Sequence, residues 1–296
     1  MGIQAVTVVG GGTMGNGIAH VCALSGREVR ITDVSQDVLD AALATIAKNL
    51  DRQVNKEVIS ETGRDEALER IRPMTDLESA VAGAQLVIEA VPEKADIKYD
   101  LFRRLDEMAS AEVILASNTS SISITAIGAE TARPDRVIGM HFMNPVPVMT
   151  LIEVIRGLAT SDATTAAVMD FSTDLGKTPV EVNDFPGFVS NRILGPMINE
   201  AVFALMEGVA DLEVIDLVMK LGMNHPMGPL ALADLIGLGW TPASTSWRSY
   251  IGSWETTAIG LARSFESTSQ RVGWDARRAE ASTPMGTDPA CGRPSS

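Results

Sequence analysis

The opening of the chain narrows the fold more than any other stretch. Ile3 to Val9 is a nearly unbroken β-strand-like run that stops at Gly10-Gly11-Gly12-Thr13-Met14-Gly15, and Ile18 to Leu24 continue with the spacing of an amphipathic helix. Strand, tight turn and helix in this order begin a βαβ unit. Gly10, Gly12 and Gly15 keep the GxGxxG spacing, in which missing side chains let the backbone turn sharply, approach a pyrophosphate and pack helix against strand. The N-terminus of the helix then faces the phosphates. A second strand, Glu28 to Thr32, ends at Asp33, whose carboxylate is placed either to accept hydrogen bonds from an adenosine ribose or to cap the next helix. On the first reading the cofactor is NAD rather than NADP, because a 2′-phosphate would meet a carboxylate while Val34 and Ser35 supply no cation.

The alternation continues. Residues 38–70 read as a long, charged helical pair, larger than the minimal crossover, and strands follow near Leu86 to Glu89, Val113 to Ser117, Val137 to His141 and Thr150 to Ile155, with a helix at Ala95 to Met108. This pattern predicts an α/β protein with a doubly wound, mostly parallel Rossmann-type sheet. Asp184-Phe185-Pro186-Gly187-Phe188 interrupts it, and helices at Arg192 to Glu207 and Leu212 to Lys220 follow without strands. The expected organisation is therefore a nucleotide-binding domain over 1–184 with the helical pair inserted, a smaller all-α domain over 185–238, and a segment of different character over 239–296.

Composition excludes several classes. At 296 residues and 45% hydrophobic content the chain can bury a substantial core, and no apolar run reaches membrane-spanning length. The net charge of -14 argues against nucleic acid or an anionic membrane as partner, although a phosphate-bearing substrate needs a local basic patch, for which Lys48, Arg52 and Lys56 are available. The two cysteines, Cys22 and Cys291, are too few for a disulfide framework or a cysteine-built metal site and suit a reducing cytoplasm. No targeting segment is visible at the N-terminus, and no metal is expected.

Of the three histidines, His20 lies in the apolar run after the glycine loop and His225 in Asn224-His225-Pro226. His141 stands downstream of the nucleotide-binding half and twelve residues before Glu153. Oxidising a secondary alcohol requires a base for the hydroxyl proton as hydride departs, and imidazole oriented by a carboxylate suits that task. Taken alone, each of these residues also has an ordinary structural explanation: a core histidine, a strand glutamate, a turn serine at Ser120, a helix cap at Asn191.

Ser117-Asn118-Thr119-Ser120-Ser121, His141-Phe142-Met143-Asn144-Pro145-Val146-Pro147, Glu153, and Pro186-Gly187-Phe188-Val189-Ser190-Asn191-Arg192 together resemble the 3-hydroxyacyl-CoA dehydrogenase family, its short bacterial 3-hydroxybutyryl-CoA members in particular. The likeness runs from residue 1 to about 238. It implies an NAD-dependent oxidoreductase converting (S)-3-hydroxyacyl-CoA to 3-oxoacyl-CoA, active as a homodimer. It further implies that His141 takes the 3-hydroxyl proton, that Glu153 holds its other ring nitrogen, that Ser120 hydrogen-bonds the substrate oxygen, and that Asn191 supports substrate and histidine. Gly10, Gly12, Thr13, Met14, Gly15, Asp33, Glu93, Lys98, Ser120 and Asn144 become the cofactor contacts, and Asn49 and Lys56 the contacts to coenzyme A. Two other functions are compatible with the fold: a dehydrogenase of a small free hydroxy acid, which activity on free acetoacetate rather than acetoacetyl-CoA would reveal, and a nucleotide-binding protein impaired in catalysis.

The second alternative arises from the C-terminal segment. From Gly239 onward all four tryptophans appear, lysine vanishes, serine and threonine crowd in, and helical periodicity fades. Joining the last base of each codon to the first two of the next allows Trp240-Thr241-Pro242-Ala243-Ser244 to be read as Leu-Asp-Thr-Cys-Leu, which this family carries after its Asp-Leu-Ile-Gly-Leu. With permitted codon choices the shifted frame continues into a close likeness of the family's C-terminal end. The expectation is a frameshift near Leu238 to Gly239, genuine or introduced in sequencing, that leaves apolar helix faces uncovered, the tail disordered, and dimerisation or activity weakened. Resequencing the gene checks the first part: a nucleotide sequence unable to encode the family ending in the shifted frame removes the idea.

Overall fold

A computed structural model describes residues 2–236, and the segment expected to depart from the family pattern after Leu238 lies outside these residues. In chain order the elements are β1 (Ala5–Val9), α1 (Thr13–Leu24), β2 (Glu28–Thr32), α2 (Gln36–Asn55), α3 (Glu61–Glu69), β3 (Ile71–Met74), α4 (Leu77–Val81), β4 (Leu86–Glu89) and α5 (Ala95–Met108). There follow β5 (Ile114–Ser117), α6 (Ile124–Ala129), β6 (Val137–Phe142), β7 (Leu151–Arg156), α7 (Asp162–Asp174), β8 (Thr178–Asn183), α8 (Ser190–Met206), α9 (Leu212–Gly222) and α10 (Pro229–Leu235).

The eight strands form one sheet in the order β3-β2-β1-β4-β5-β6-β7-β8. Every neighbouring pair is parallel except β6 with β7. The order reverses between β1 and β4, and in doubly wound sheets the crevice beyond the carboxyl ends of those strands is where a dinucleotide lies. Helices cover both faces because the central strands are apolar on both. Val8, Ile88, Ala116 and Met140 pack in one core with α1 and α7, whereas their neighbours Val9, Val87, Leu115 and Val137 pack in the other with α5 and α6. This two-residue alternation in otherwise continuous apolar strands is the mark of a buried parallel sheet.

The helical pair expected over 38–70 is present as α2 and α3. Helix α2 buries Leu39, Ala42, Ile46 and Leu50 along one stripe, and α3 is capped by the Ser60 hydroxyl, which accepts from the Gly63 N–H at 3.0 Å.

Two strands were not anticipated, and both are at the edges. β3 contains Pro73, and β8 contains Pro179 and leaves Thr178, Val180, Glu181 and Asn183 exposed. Half-solvated edge strands carry polar residues and proline, which dilutes the apolar signal that exposes central strands in a sequence.

By internal contacts the described residues divide into one unit ending at Gly195 and a second from Pro196, a division inside α8. In the second unit Ala201, Val202 and Leu230 form a small core with Leu205, Leu212 and Ile215. There Asp216 accepts from the Leu230 and Ala231 N–H groups, each at 2.9 Å, and so caps the start of α10. Helix α9 leaves Val214, Leu217, Val218 and Leu221 exposed at helical spacing. No described helix is long and apolar enough to cross a membrane.

Candidate active site

The glycine loop divides its labour. Gly10 has φ +107°, and a Cβ there would lie 2.5 Å from the Ala90 carbonyl oxygen; one on Gly15 would lie 1.7 Å from the Gly10 carbonyl oxygen. These two glycines answer to the chain's own close packing. A Cβ on Gly12 would meet nothing within 4 Å, so its missing side chain keeps open ground at the N-terminus of α1. That is the approach a pyrophosphate needs. Asp33 ties this loop to the end of β2: its carboxylate accepts from the Gly11 N–H at 2.8 Å and the Ser35 N–H at 3.3 Å. Thr13 and Met14 open α1 beside it.

On the other side of the switch point a buried charge network organises the loop after β5. Lys98, 1% exposed, donates to Glu89 Oε1 at 2.5 Å and lies 3.2 Å from Glu93 Oε2. Glu89 also accepts from the Ser117 hydroxyl at 2.5 Å and the Val91 N–H at 2.7 Å. Glu93 Oε1 in turn collects the Thr119 hydroxyl at 2.5 Å, the Ser120 N–H at 2.9 Å, the Ser121 N–H at 3.0 Å and the Ser121 hydroxyl at 2.9 Å. The two carboxyls respond in opposite directions. Burial dominates at Glu89 and pushes it up despite Lys98, whereas at Glu93 the same burial is outweighed by Lys98 and the hydroxyl and amide donors, which hold it down.

Across the antiparallel pair, His141 on β6 lies directly opposite Glu153 on β7. Both are buried, and His141 Nδ1 is 2.8 Å from Glu153 Oε2. The Gly187–Ser190 turn closes over them. Phe188, at φ +50°, sets its ring 5.8 Å from the imidazole. The Val189 N–H at 3.1 Å and the Ser190 N–H at 2.8 Å donate to Glu153 Oε1, and the Ser190 hydroxyl donates to Oε2 at 2.7 Å. Burial raises the Glu153 carboxyl, but the His141 and Ser190 hydrogen bonds outweigh it and hold the group below its ordinary range. An ionised carboxylate accepts, so Nδ1 is the nitrogen carrying hydrogen, and in the neutral form of the ring Nε2 holds the lone pair.

The side-chain amide of Asn191 donates to the Ser120 carbonyl at 3.2 Å, so the structure brings those two residues together beside the dyad's turn. Asn144 follows β6 and is exposed. Asn49, half-buried, accepts from Arg52 at 3.3 Å, and Lys56 is exposed at the C-terminal cap of α2. The structure thus puts these last two on the helical pair and outside the hydrogen-bond network of the dyad.

Three further residues belong to the site. Sequence reasoning passes over Glu89, which contacts Lys98 in space, Ser190, which precedes Asn191, and Lys177, which donates to the Val146 and Met149 carbonyls at 2.6 and 2.7 Å, holding the segment after Asn144. An acid closing the apolar run Leu86-Val87-Ile88 was a legible signal for Glu89; nothing local marked Lys177.

Residues 5–185 match the family model of the 3-hydroxyacyl-CoA dehydrogenase NAD binding domain, and residues 187–274 match that of the 3-hydroxyacyl-CoA dehydrogenase C-terminal domain. The chain belongs to the 3-hydroxyacyl-CoA dehydrogenase family. It is 55% identical over 238 residues to a probable 3-hydroxybutyryl-CoA dehydrogenase of Bacillus subtilis, covering 80% of this chain and 83% of that one. It is 53% identical over 236 residues to a 3-hydroxybutyryl-CoA dehydrogenase of Bradyrhizobium diazoefficiens, covering 80% of each. Among solved structures, (S)-3-hydroxybutyryl-CoA dehydrogenase from Ralstonia eutropha superposes with a TM-score of 0.79 at 50% identity over 86% of each chain. The C-terminal family model reaches past Gly239, whereas these two pairwise matches span 238 and 236 residues.

The family's cofactor is NAD, and the open ground at Gly12 with the carboxylate of Asp33 behind it fits that group. Val34 is fully solvated and Ser35 is neutral, so nothing next to Asp33 offsets a 2′-phosphate. The expected outcome is a clear preference for NADH over NADPH that Asp33→Ser narrows. Equal kcat/KM for the two cofactors in the unmodified protein would contradict this assignment.

Proposed function

We propose that the chain interconverts a short-chain (S)-3-hydroxyacyl-CoA, such as 3-hydroxybutyryl-CoA, and the matching 3-oxoacyl-CoA. The observation that carries this reading is the His141–Glu153 contact at 2.8 Å, built on an NAD-binding sheet. NAD bound at the glycine loop supplies the hydride acceptor. His141 Nε2 takes the hydroxyl proton as the alcohol is oxidised, and Glu153 stabilises the imidazolium that results. Ser120 and Asn191 contribute polar contacts to the substrate oxygen, whose charge changes as the carbonyl forms. Glu93, anchored through Lys98, holds the loop that carries Ser120, and Asn144 contributes a further cofactor contact. Asn49 and Lys56 receive the coenzyme A portion.

A homodimer working in the cytoplasm belongs to the same reading. The exposed apolar stripe of α9 supports the dimer, and sedimentation equilibrium of the purified chain measures it.

Oxidation of NADH by the purified chain with acetoacetyl-CoA tests the activity, and turnover of free acetoacetate alone would move the substrate to the free hydroxy acids. Replacing His141 by Gln is expected to lower kcat by about 10²- to 10⁴-fold, the usual span for a positioned acid-base group, with NADH affinity nearly unchanged. Glu153→Gln acts in the same direction. Wild-type turnover in the His141→Gln protein would make His141 a structural residue and end this mechanism.

A further inference from the structure

The turn that covers the dyad contains one side chain whose position has no function in the scheme above. We infer that Ser190 is a positioning residue for proton transfer, its hydroxyl completing a cap of three donors that keeps the Glu153 carboxylate aimed at His141 Nδ1. The inference rests on the proposed function, in which His141 is the base.

The geometry distinguishes the three donors. Both backbone N–H groups of the turn, from Val189 and Ser190, go to Glu153 Oε1 and hold that oxygen alone. Oε2, the oxygen that faces His141, has the imidazole at 2.8 Å and the Ser190 hydroxyl at 2.7 Å. Without the hydroxyl, the orientation of Oε2 would depend on the imidazole it is meant to orient. The position is also telling, because Ser190 is the first residue of α8. An N-cap serine, one position earlier, turns its oxygen to the helix's own N–H groups. Ser190 donates its hydrogen away from the helix, to a carboxylate on β7. The turn is shaped for this contact: Gly187 at φ +77° and Phe188 at φ +50° bend the backbone so that two successive N–H groups and one hydroxyl converge on a single side chain. Hydrogen bonds to an ionised acceptor are stronger than neutral ones, so losing one has a measurable effect on the group it steadies.

Ser190→Ala is expected to lower kcat with acetoacetyl-CoA about tenfold while KM stays within about twofold and NADH affinity, read by fluorescence enhancement of the bound nucleotide, is unchanged. Ser190→Thr, which keeps the hydroxyl, is expected to restore kcat to within about threefold of wild type. Because Ser190 acts through Glu153, adding Ser190→Ala to Glu153→Gln should produce little further loss, a non-additivity that a residue serving only to anchor α8 would not show. If Ser190→Ala does not fold, Ser190→Cys offers nearly the same shape with a weak donor and carries the same expectation. Full kcat in Ser190→Ala, a threonine variant as slow as the alanine one, or additive losses in the double variant would each overturn the inference. If His141→Gln is slow and Ser190→Ala is not, only the role of Ser190 falls; if His141→Gln is as fast as wild type, the proposed function falls with it.

Discussion

The site depends on one reversal of chain direction. Six strands of the sheet run parallel up to β6, and β7 then returns antiparallel beside it. Parallel neighbours are joined by long crossovers, so their side chains come from distant parts of the sequence. The β6–β7 pair is joined by a short connection, and its register puts His141 opposite Glu153, with Gly139 opposite Ile155 one step along the same face. A shift of one residue would turn the histidine to the other face and take from the Glu153 carboxylate the imidazole at Oε2. Gly139 guards that register, since a Cβ there would come within 2.7 Å of the Ile155 side chain.

The other half of the site is held by buried charge. Placing Glu89 and Lys98 at 0% and 1% exposure is unfavourable unless each is compensated, and here every charged group has at least two polar contacts. Such a network is weak evidence for stability, because an apolar replacement of equal volume is often as stable. Its value is directional. Lys98 joins the end of β4 to Glu93, and Glu93 gathers the amides and hydroxyls of Thr119, Ser120 and Ser121 into one conformation. Loops that must present a side chain to a cofactor are otherwise the mobile parts of a fold.

How much was legible in the sequence follows from the range of the interactions. The glycine loop, the central strands and the helical pair are local patterns, and all were readable; the pairing of His141 with Glu153 followed from the family resemblance alone, because the antiparallel return of β7 that sets them opposite each other leaves no local mark. The edge strands β3 and β8 were hidden by their own solvent exposure and prolines. Lys177 was hidden by distance: its bonds to the carbonyls of Val146 and Met149 span 31 and 28 residues and leave no periodic trace. Ser190 reaches Glu153 across 37 residues, and its hydroxyl looks like a helix-start residue until β7 is in place.

The overall charge poses a final constraint on the proposed substrate. A chain of net charge -14 repels a coenzyme A thioester with its several phosphates, so binding needs a local field of opposite sign. The cations available for it on the helical pair are Lys48 and Arg52 in the C-terminal half of helix α2, beside Asp51, and Lys56 at its cap. Its apolar positions Leu39, Ala42, Ile46 and Leu50 are fully or almost fully buried, while Lys48, Arg52 and Lys56, spaced four apart, lie on a common exposed side. On the proposed function the sheet and its charged network handle the reacting end, and the exposed cations of the helical pair are the groups left to meet the phosphates of the carrier, apart from the dyad.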